Sequence, residues 1–371
     1  MEYFNKWNKI IVLVFCVAFT QLCYAATDQN EAEYNKAFNE YAEQKTKNLN
    51  TTDLVPFAKK LYQSGVKKFA GDNFNLAMLA FIYADVLISA KEEVKGQALL
   101  EESISLYEQL EEKPYERLSK VYLQLGKMLY VKSKTNKKGV LKLTKAIAMA
   151  EKTGNELLLA NIKLNVGIIY LSQSFPSRKI ARQALQILTD SYQTFRKKPD
   201  QRKNVAAFWL GKVNMFLSDN STAAEYFNYL LDNPQDGANM AQLEMSSHAF
   251  LVDVYSKLGE DELATKHCLA IGEMQPWGEN SEAKPLYKLP ASYPREAAMK
   301  GIEGWVKLGL TIDKFGFAKD VEVVEMSGGS NYFSRSAKKA ITKWRFAPRF
   351  VDGVAVDSKS TYTMQFQLAP K

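Results

Sequence analysis

Trp305-Val306-Lys307-Leu308-Gly309-Leu310-Thr311-Ile312-Asp313-Lys314-Phe315-Gly316 is where the chain changes its period. Val306, Leu308, Leu310 and Ile312 point one way in an extended chain, and Trp305, Lys307, Gly309, Thr311 and Asp313 point the other. That alternation predicts a strand with one buried face. Asp313 to Gly316 reads as a hairpin turn in which glycine supplies a positive φ. A second strand runs through Val321 and Val323 and ends at Ser327-Gly328-Gly329-Ser330. A helix over 331–343 follows, with Phe333, Ala337, Ala340, Ile341 and Trp344 on one stripe. The last strand alternates again, with Tyr362, Met364, Phe366 and Leu368 against Thr361, Thr363, Gln365 and Gln367. A short helix at 294–300 precedes the first strand. The order α-β-β-α-β predicts a compact α+β unit, three antiparallel strands with two small helices.

Upstream the period is helical. From Glu31 to about Met274, apolar residues recur at three and four spacing, and Gly, Pro, Asn and Asp fall at the breaks. Helices are expected at about 30–48, 54–69, 74–91, 94–112, 115–133, 137–152, 155–173, 177–197, 201–217, 220–232, 238–257 and 261–274. They group into hairpins whose second members align on Ala98, Leu141, Ala184, Ala223 and Ala264, a step near forty residues. A step of that size predicts an α-helical solenoid. Leu125-Gly126, Val166-Gly167 and Leu210-Gly211 mark one point in successive first helices. A small residue there lets two helix backbones approach while a large residue fills the groove beside it. Aromatic residues such as Phe81, Tyr83, Tyr122, Tyr130 and Phe208 are read as core. The array resembles degenerate tetratricopeptide repeats, which implies a face for other proteins. A plain spacer is the other reading. His248 and His267 lie on separate helices without the HxxxH or HExxH spacing of a metal site. Cys268 is read as buried filler.

The chain opens with Lys6 and Lys9, an apolar run from Ile10 to Phe19, and small residues at the exit. This is the secretory signal pattern, with cleavage expected between Ala25 and Ala26. An uncleaved inner-membrane anchor facing the periplasm is the alternative, but a span wants about 20 apolar residues. Cys16 and Cys23 follow residues too bulky for a lipidation site and leave with the leader, so Cys268 has no disulfide partner. The expected layout is a signal peptide at 1–25, helical repeats at 26–275, a linker at 276–289 and the α+β domain at 290–371. Of the 371 residues, 49 are Lys or Arg and 41 Asp or Glu, a formal charge of +8. From Pro285 onward 14 basic residues face 8 acidic ones, so +6 of that charge sits in the last domain.

Tyr293-Pro294, Ala297, Gly301, Glu303-Gly304, Ile312-Asp313, Gly316, Phe333, Ser336-Ala337, Trp344-Arg345-Phe346, Pro348 and Asp352-Gly353 together resemble the C-terminal domain of the TonB family. The resemblance covers about Pro290 to Leu368. It implies a periplasmic protein, not an enzyme, that engages TonB-dependent outer-membrane receptors through their TonB-box peptide. In the family the peptide adds as a strand to the last strand of the domain, here Thr361, Tyr362, Thr363, Met364, Gln365, Phe366 and Gln367. An exposed strand edge templates an incoming peptide, and this one lacks the charges that protect an edge. Lys338, Lys339, Lys343, Arg345 and Arg349 form a basic cluster, suited to an acidic receptor plug or lipid headgroups, or else a solvated helix face. Export disfavours nucleic acid, and no cofactor or metal is expected. Two features depart from TonB-like transducers: the leader lacks their membrane histidine, and a solenoid replaces their Pro-rich linker. Coupling to the ExbB and ExbD motor is therefore not expected. A periplasmic scaffold with no role in uptake is the second functional reading.

Overall fold

The structure, a computed structural model, describes residues 29–47, 50–132, 137–172, 176–198, 200–274, 285–327 and 331–368. The expected leader, its cleavage site at Ala25 and Ala26, and the linker as far as Lys284 lie outside them. The chain forms two compact units, one through Lys203 and one from Asn204.

The first unit is a series of helical hairpins: α1 (Gln29–Thr46) with α2 (Thr51–Lys68), α3 (Asn73–Ser89) with α4 (Glu93–Glu108), α5 (Tyr115–Lys132) with α6 (Lys137–Glu151), and α7 (Glu156–Tyr170) with α8 (Arg178–Arg196). Three of these helices, α3, α7 and α8, start at side-chain caps. Asp72 accepts from Phe74 N and Asn75 N, Asn155 from Leu158 N, and Ser177 from Ile180 N. Each satisfies an amide that the first helical turn leaves without a partner. Leu100 and Tyr107 of α4, Leu118 and Tyr122 of α5, and Leu143 and Ala146 of α6 belong to one buried cluster that runs on to Val166 and Ala184. Each hairpin thus buries its apolar face against the next, the stabilising logic of a solenoid. A methyl group added at Gly126 would lie 2.8 Å from Leu143, and one at Gly167 would lie 2.5 Å from Leu188. The glycines read from the sequence as crossing points are where the two helices of a hairpin meet.

The second unit continues the hairpins with α9 (Arg202–Leu217), α10 (Asn220–Asp232), α11 (Ala238–Leu258) and α12 (Asp261–Met274). Phe227 of α10 stacks on Phe250 of α11, with ring centroids 5.3 Å apart. Then come β1 (Pro285–Tyr287), α13 (Arg295–Met299), β2 (Gly304–Ile312), β3 (Ala318–Met326), α14 (Asn331–Ile341), β4 (Arg345–Phe346), β5 (Arg349–Val351), β6 (Val354–Val356) and β7 (Ser358–Phe366). The main sheet is antiparallel in the order β3-β2-β7. Val306, Leu308, Leu310 and Ile312 of β2 are buried against Phe333, Ala337 and Ile341 of α14 and Met364 and Phe366 of β7. Each such large side chain contributes roughly 1.5–3 kcal/mol by leaving water.

The fold is a tetratricopeptide-like helical array followed by a small α+β domain. Helix bounds fall within a few residues of expectation, and the sheet has the three strands expected. The turn at 313–316 is held by a buried Asp313, whose carboxylate accepts from Phe315 N and Phe317 N and pairs with Lys319 at 2.7 Å. Two small ribbons were not foreseen. Part of the expected connector is β1, which pairs with β4. The second, β5–β6, turns through Asp352 and Gly353, both at positive φ. Leu368, grouped with the inward side chains, is 37% exposed, because the ladder to β2 ends at Phe366. Among the described residues no helix is long and apolar enough to cross a membrane.

Candidate functional site

The sheet has two edges of different character. β3 carries Lys319, Asp320, Glu322 and Glu325 as exposed side chains, and its register with β2 shifts at two places. Charge and irregular pairing both discourage a further strand. β7 is the opposite case. It pairs with β2 in unbroken register from Ile312↔Ser358 to Gly304↔Phe366. Among the described residues no strand pairs with its other side. No charged residue occurs between Ser360 and Leu368. Thr361, Thr363, Gln365 and Gln367 are exposed, Tyr362 is half-buried, and Met364 and Phe366 are buried. The alternation read from the sequence is the one the strand adopts.

A wall stands beside β7. Trp344 Nε1 donates to the carbonyl of Leu289 at 2.8 Å, and Lys288 Nζ donates to the Tyr362 hydroxyl at 2.9 Å. Tyr293 donates to Ile302 O at 2.6 Å and lies edge-on to Phe333 and Phe366. These contacts fix the segment 288–293 alongside the strand. Between it and Met364–Gln367 lies an open groove of about 390 Å3, floored by Trp344. An uncharged ladder of backbone groups beside an apolar groove is the chemistry of extended-peptide recognition.

The expected basic cluster divides. Lys338, Lys339 and Lys343 are exposed around the end of α14. Arg349 is half-buried, and its Nε has no hydrogen-bond partner. Arg345 does not join them, and its reading as a surface cation is corrected here. Its side chain is 3% exposed. The guanidinium donates through Nη2 to Asp261 Oδ1 at 2.7 Å and to Asp261 O at 3.2 Å, and through Nη1 to Thr265 Oγ1 at 3.2 Å. It also lies 3.6 Å from the centroid of the Phe317 ring. An arginine enclosed this way binds the small domain to the start of α12 and leaves the surface. Its neighbours Trp344, Phe346 and Ala347 are all buried. That enclosed run was the available sequence signal.

Other contacts join the same two parts. Cys268 of α12 is fully buried in a cluster with Val252, Ile271 and Ala347. Burial pushes its thiol up to about 12, against a smaller opposing effect of Arg345, so it is a packing residue and no nucleophile at neutral pH. A methyl group at Gly272 would lie 2.5 Å from the carbonyl of Pro348. The two histidines, which the sequence left apart, meet: His248 Nδ1 and His267 Nδ1 are 2.7 Å apart, and Tyr255 stacks flat on His267. Burial, with smaller contributions from His248 and Lys266, lowers His267 to about 4. Among the described residues no three His, Cys, Asp or Glu side chains are grouped to hold a metal ion.

Sheet order, open edge and flanking helices define a small α+β domain at the end of a helical array. Residues 290–368 match the family described as Gram-negative bacterial TonB protein C-terminal, over the same stretch that carries the resemblance in the sequence. Protein TonB of Pseudomonas aeruginosa is 40% identical over 89 residues, 24% of this chain and 26% of that protein. The chain thus matches about a quarter of the length of that relative. A solution structure of the Pseudomonas aeruginosa TonB C-terminal domain aligns at 35% identity and a TM-score of 0.22, covering 25% of this chain and 93% of that one. A structure of Pseudomonas aeruginosa pilF aligns at 12% identity and a TM-score of 0.46, covering 68% of this chain and 96% of that one.

Proposed function

We propose that this protein engages TonB-dependent outer-membrane receptors by taking the receptor's TonB-box segment as a fourth strand on β7, in support of energy-dependent transport across the outer membrane. The observation that carries the reading is the asymmetry of the sheet. One edge is charged and irregular, while β7 is regular, uncharged from Ser360 to Phe366 and, among the described residues, unpaired on its outer side beside an apolar groove. Backbone pairing supplies affinity in such complexes, and alternate side chains entering the groove supply specificity. The relatives named Protein TonB support the assignment to this system. On this reading the protein works in the periplasm after export through residues 1–25, without direct coupling to ExbB and ExbD. The helical array, residues 26–275, presents a face to a further protein.

The test is amide exchange followed by NMR on the full chain with and without a TonB-box peptide. Strand addition protects every second amide of β7, the set that β2 does not bond. Saturating peptide with no added protection in β7, or protection confined to α9–α12, refutes the reading.

A further inference from the structure

On the other side of the segment 289–294 from the β7 groove is a second concavity, of about 320 Å3. Pro290, Pro294 and Tyr332 form its apolar walls, and Arg335, Lys339 and Lys343 project along it. Ser336 Oγ donates to the carbonyl of Ser292, which ties the segment to α14 and fixes the wall. No carboxylate lines this space. Three other cations of the domain are engaged: Lys319 pairs with Asp313, Lys300 donates to Tyr332, and Arg345 is held by Asp261. Arg335, Lys339 and Lys343 have no acid and no hydrogen-bond acceptor among the described residues, and all three are exposed. Three formal positive charges are thus held beside a shaped apolar wall with nothing to neutralise them.

Their spacing selects among anions. The three recur every fourth residue, and the backbone hydrogen bonds of Thr342 and Lys343 continue the helical turn past Ile341. Such positions repeat about every 6 Å along a helix axis. An extended peptide repeats its side chains on one face about every 6.8 Å. Alternate acidic residues of an extended chain therefore meet the row nearly one to one, whereas a single phosphate or carboxylate meets one cation and leaves two unmatched. Leu289 and Pro290 line both concavities, so a peptide lying on β7 has this row within reach across a single wall.

We propose that the row Arg335, Lys339 and Lys343 binds an acidic stretch of extended peptide in which Asp or Glu occurs at alternate positions. This deepens the strand-addition reading and rests on it for the source of the peptide: the stretch flanks the segment that pairs with β7. The experiment uses fluorescently labelled (Glu-Ser)4 and (Gln-Ser)4 peptides against the full chain, read by anisotropy. The (Glu-Ser)4 peptide binds and weakens as salt rises, and (Gln-Ser)4 does not bind. The triple variant Arg335→Gln, Lys339→Gln, Lys343→Gln binds roughly tenfold more weakly, since each exposed charge contact is worth about a factor of two to three. A control variant that loses the same charge elsewhere, Lys59→Gln, Lys138→Gln, Lys179→Gln, binds as the parent does. Equal loss in the two variants, or equal binding of the two peptides, overturns the proposal. So does a row variant that loses binding to vesicles of phosphatidylglycerol and phosphatidylcholine when the parent ignores (Glu-Ser)4. Protection of β7 amides by a TonB-box peptide with neutral flanks reads the strand contact separately, so either reading can fail while the other stands.

Discussion

Arg345→Ala offers the sharpest test of how the small domain is held. The substitution removes three hydrogen bonds to α12 and the guanidinium lying over Phe317. Breaking a buried ion pair costs about 3–5 kcal/mol when the remaining charge is stranded. Here the stranded partner is not buried, because Asp261 is 74% exposed and stays hydrated. Of the three hydrogen bonds only the one to Asp261 Oδ1, at 2.7 Å, is short; a bond of that kind from a charged donor contributes about 1.5–3 kcal/mol, and the cation–π contact adds about 1 kcal/mol. About 3 kcal/mol is expected in all. Asp261→Ala leaves the 3% exposed guanidinium without its counter-charge, with only Asp261 O and Thr265 Oγ1 still accepting from it, so it costs at least as much, about 3–5 kcal/mol. The assay is urea unfolding of the full chain followed by tryptophan fluorescence. Trp209, Trp305 and Trp344 lie in the second unit and report on it. Arg345→Lys retains the charge but not the forked donors, and recovers less than half of the loss. A shift under about 0.5 kcal/mol for Arg345→Ala, or full recovery by lysine, refutes the claim that this guanidinium joins sheet to helix. So does an Asp261→Ala cost under about 0.5 kcal/mol.

Cys268 is fully buried and its thiol is pushed up to about 12 by burial, so the native chain resists maleimide at neutral pH and reacts at that position once urea unfolds it; rapid native labelling by mass spectrometry contradicts the packing described. His267 is lowered to about 4 by burial, next to His248, against about 6.5 in an unfolded chain. Its contribution is present above pH 6.5 and is lost as pH falls through 4, because the unfolded state binds the proton more readily. Unfolding midpoints across that window should fall by up to about 3 kcal/mol for the parent and by less for His267→Gln, with an unchanged slope in the variant showing that another group is responsible. At Gly211 an added methyl group would lie 2.6 Å from the Phe227 ring, so Gly211→Ala destabilises by about 1–3 kcal/mol despite alanine's better helix propensity, and Phe227→Leu in the same chain restores part of the loss. A thermal midpoint equal to the parent's would show that α9 and α10 do not approach so closely.

Much of this architecture was legible because its signals are local. The caps Asp72 and Asn155 are of the residue types that the sequence already marks as breaks. Gly126, Gly167 and Gly211 each sit against a large side chain of the next helix. The alternation in β2 and β7 needed only the neighbouring residues to be read. What escaped the sequence depends on distant parts of the chain. Arg345 stands 84 residues from Asp261, and within a basic stretch it reads as one more solvated cation. β1 is three residues long and becomes a strand only because β4 is there to receive it. His248 and His267 approach through the crossing of α11 and α12, which no spacing rule within one helix anticipates. Arg335 stands apart from the Lys338-Lys339 pair in the sequence, and only the helical turn puts it in one row with Lys339 and Lys343.

The enclosure of Arg345 also has a mechanical meaning. With its guanidinium held at Asp261 and Thr265, Gly272 against Pro348, and β1 against β4, the small sheet is braced against α12. A pull along β7 passes through β2, in an antiparallel ladder where the pairs of Gly304 to Ile312 share the load in shear, and on into that brace. The load then reaches α12 through packed side chains and the Arg345 hydrogen bonds.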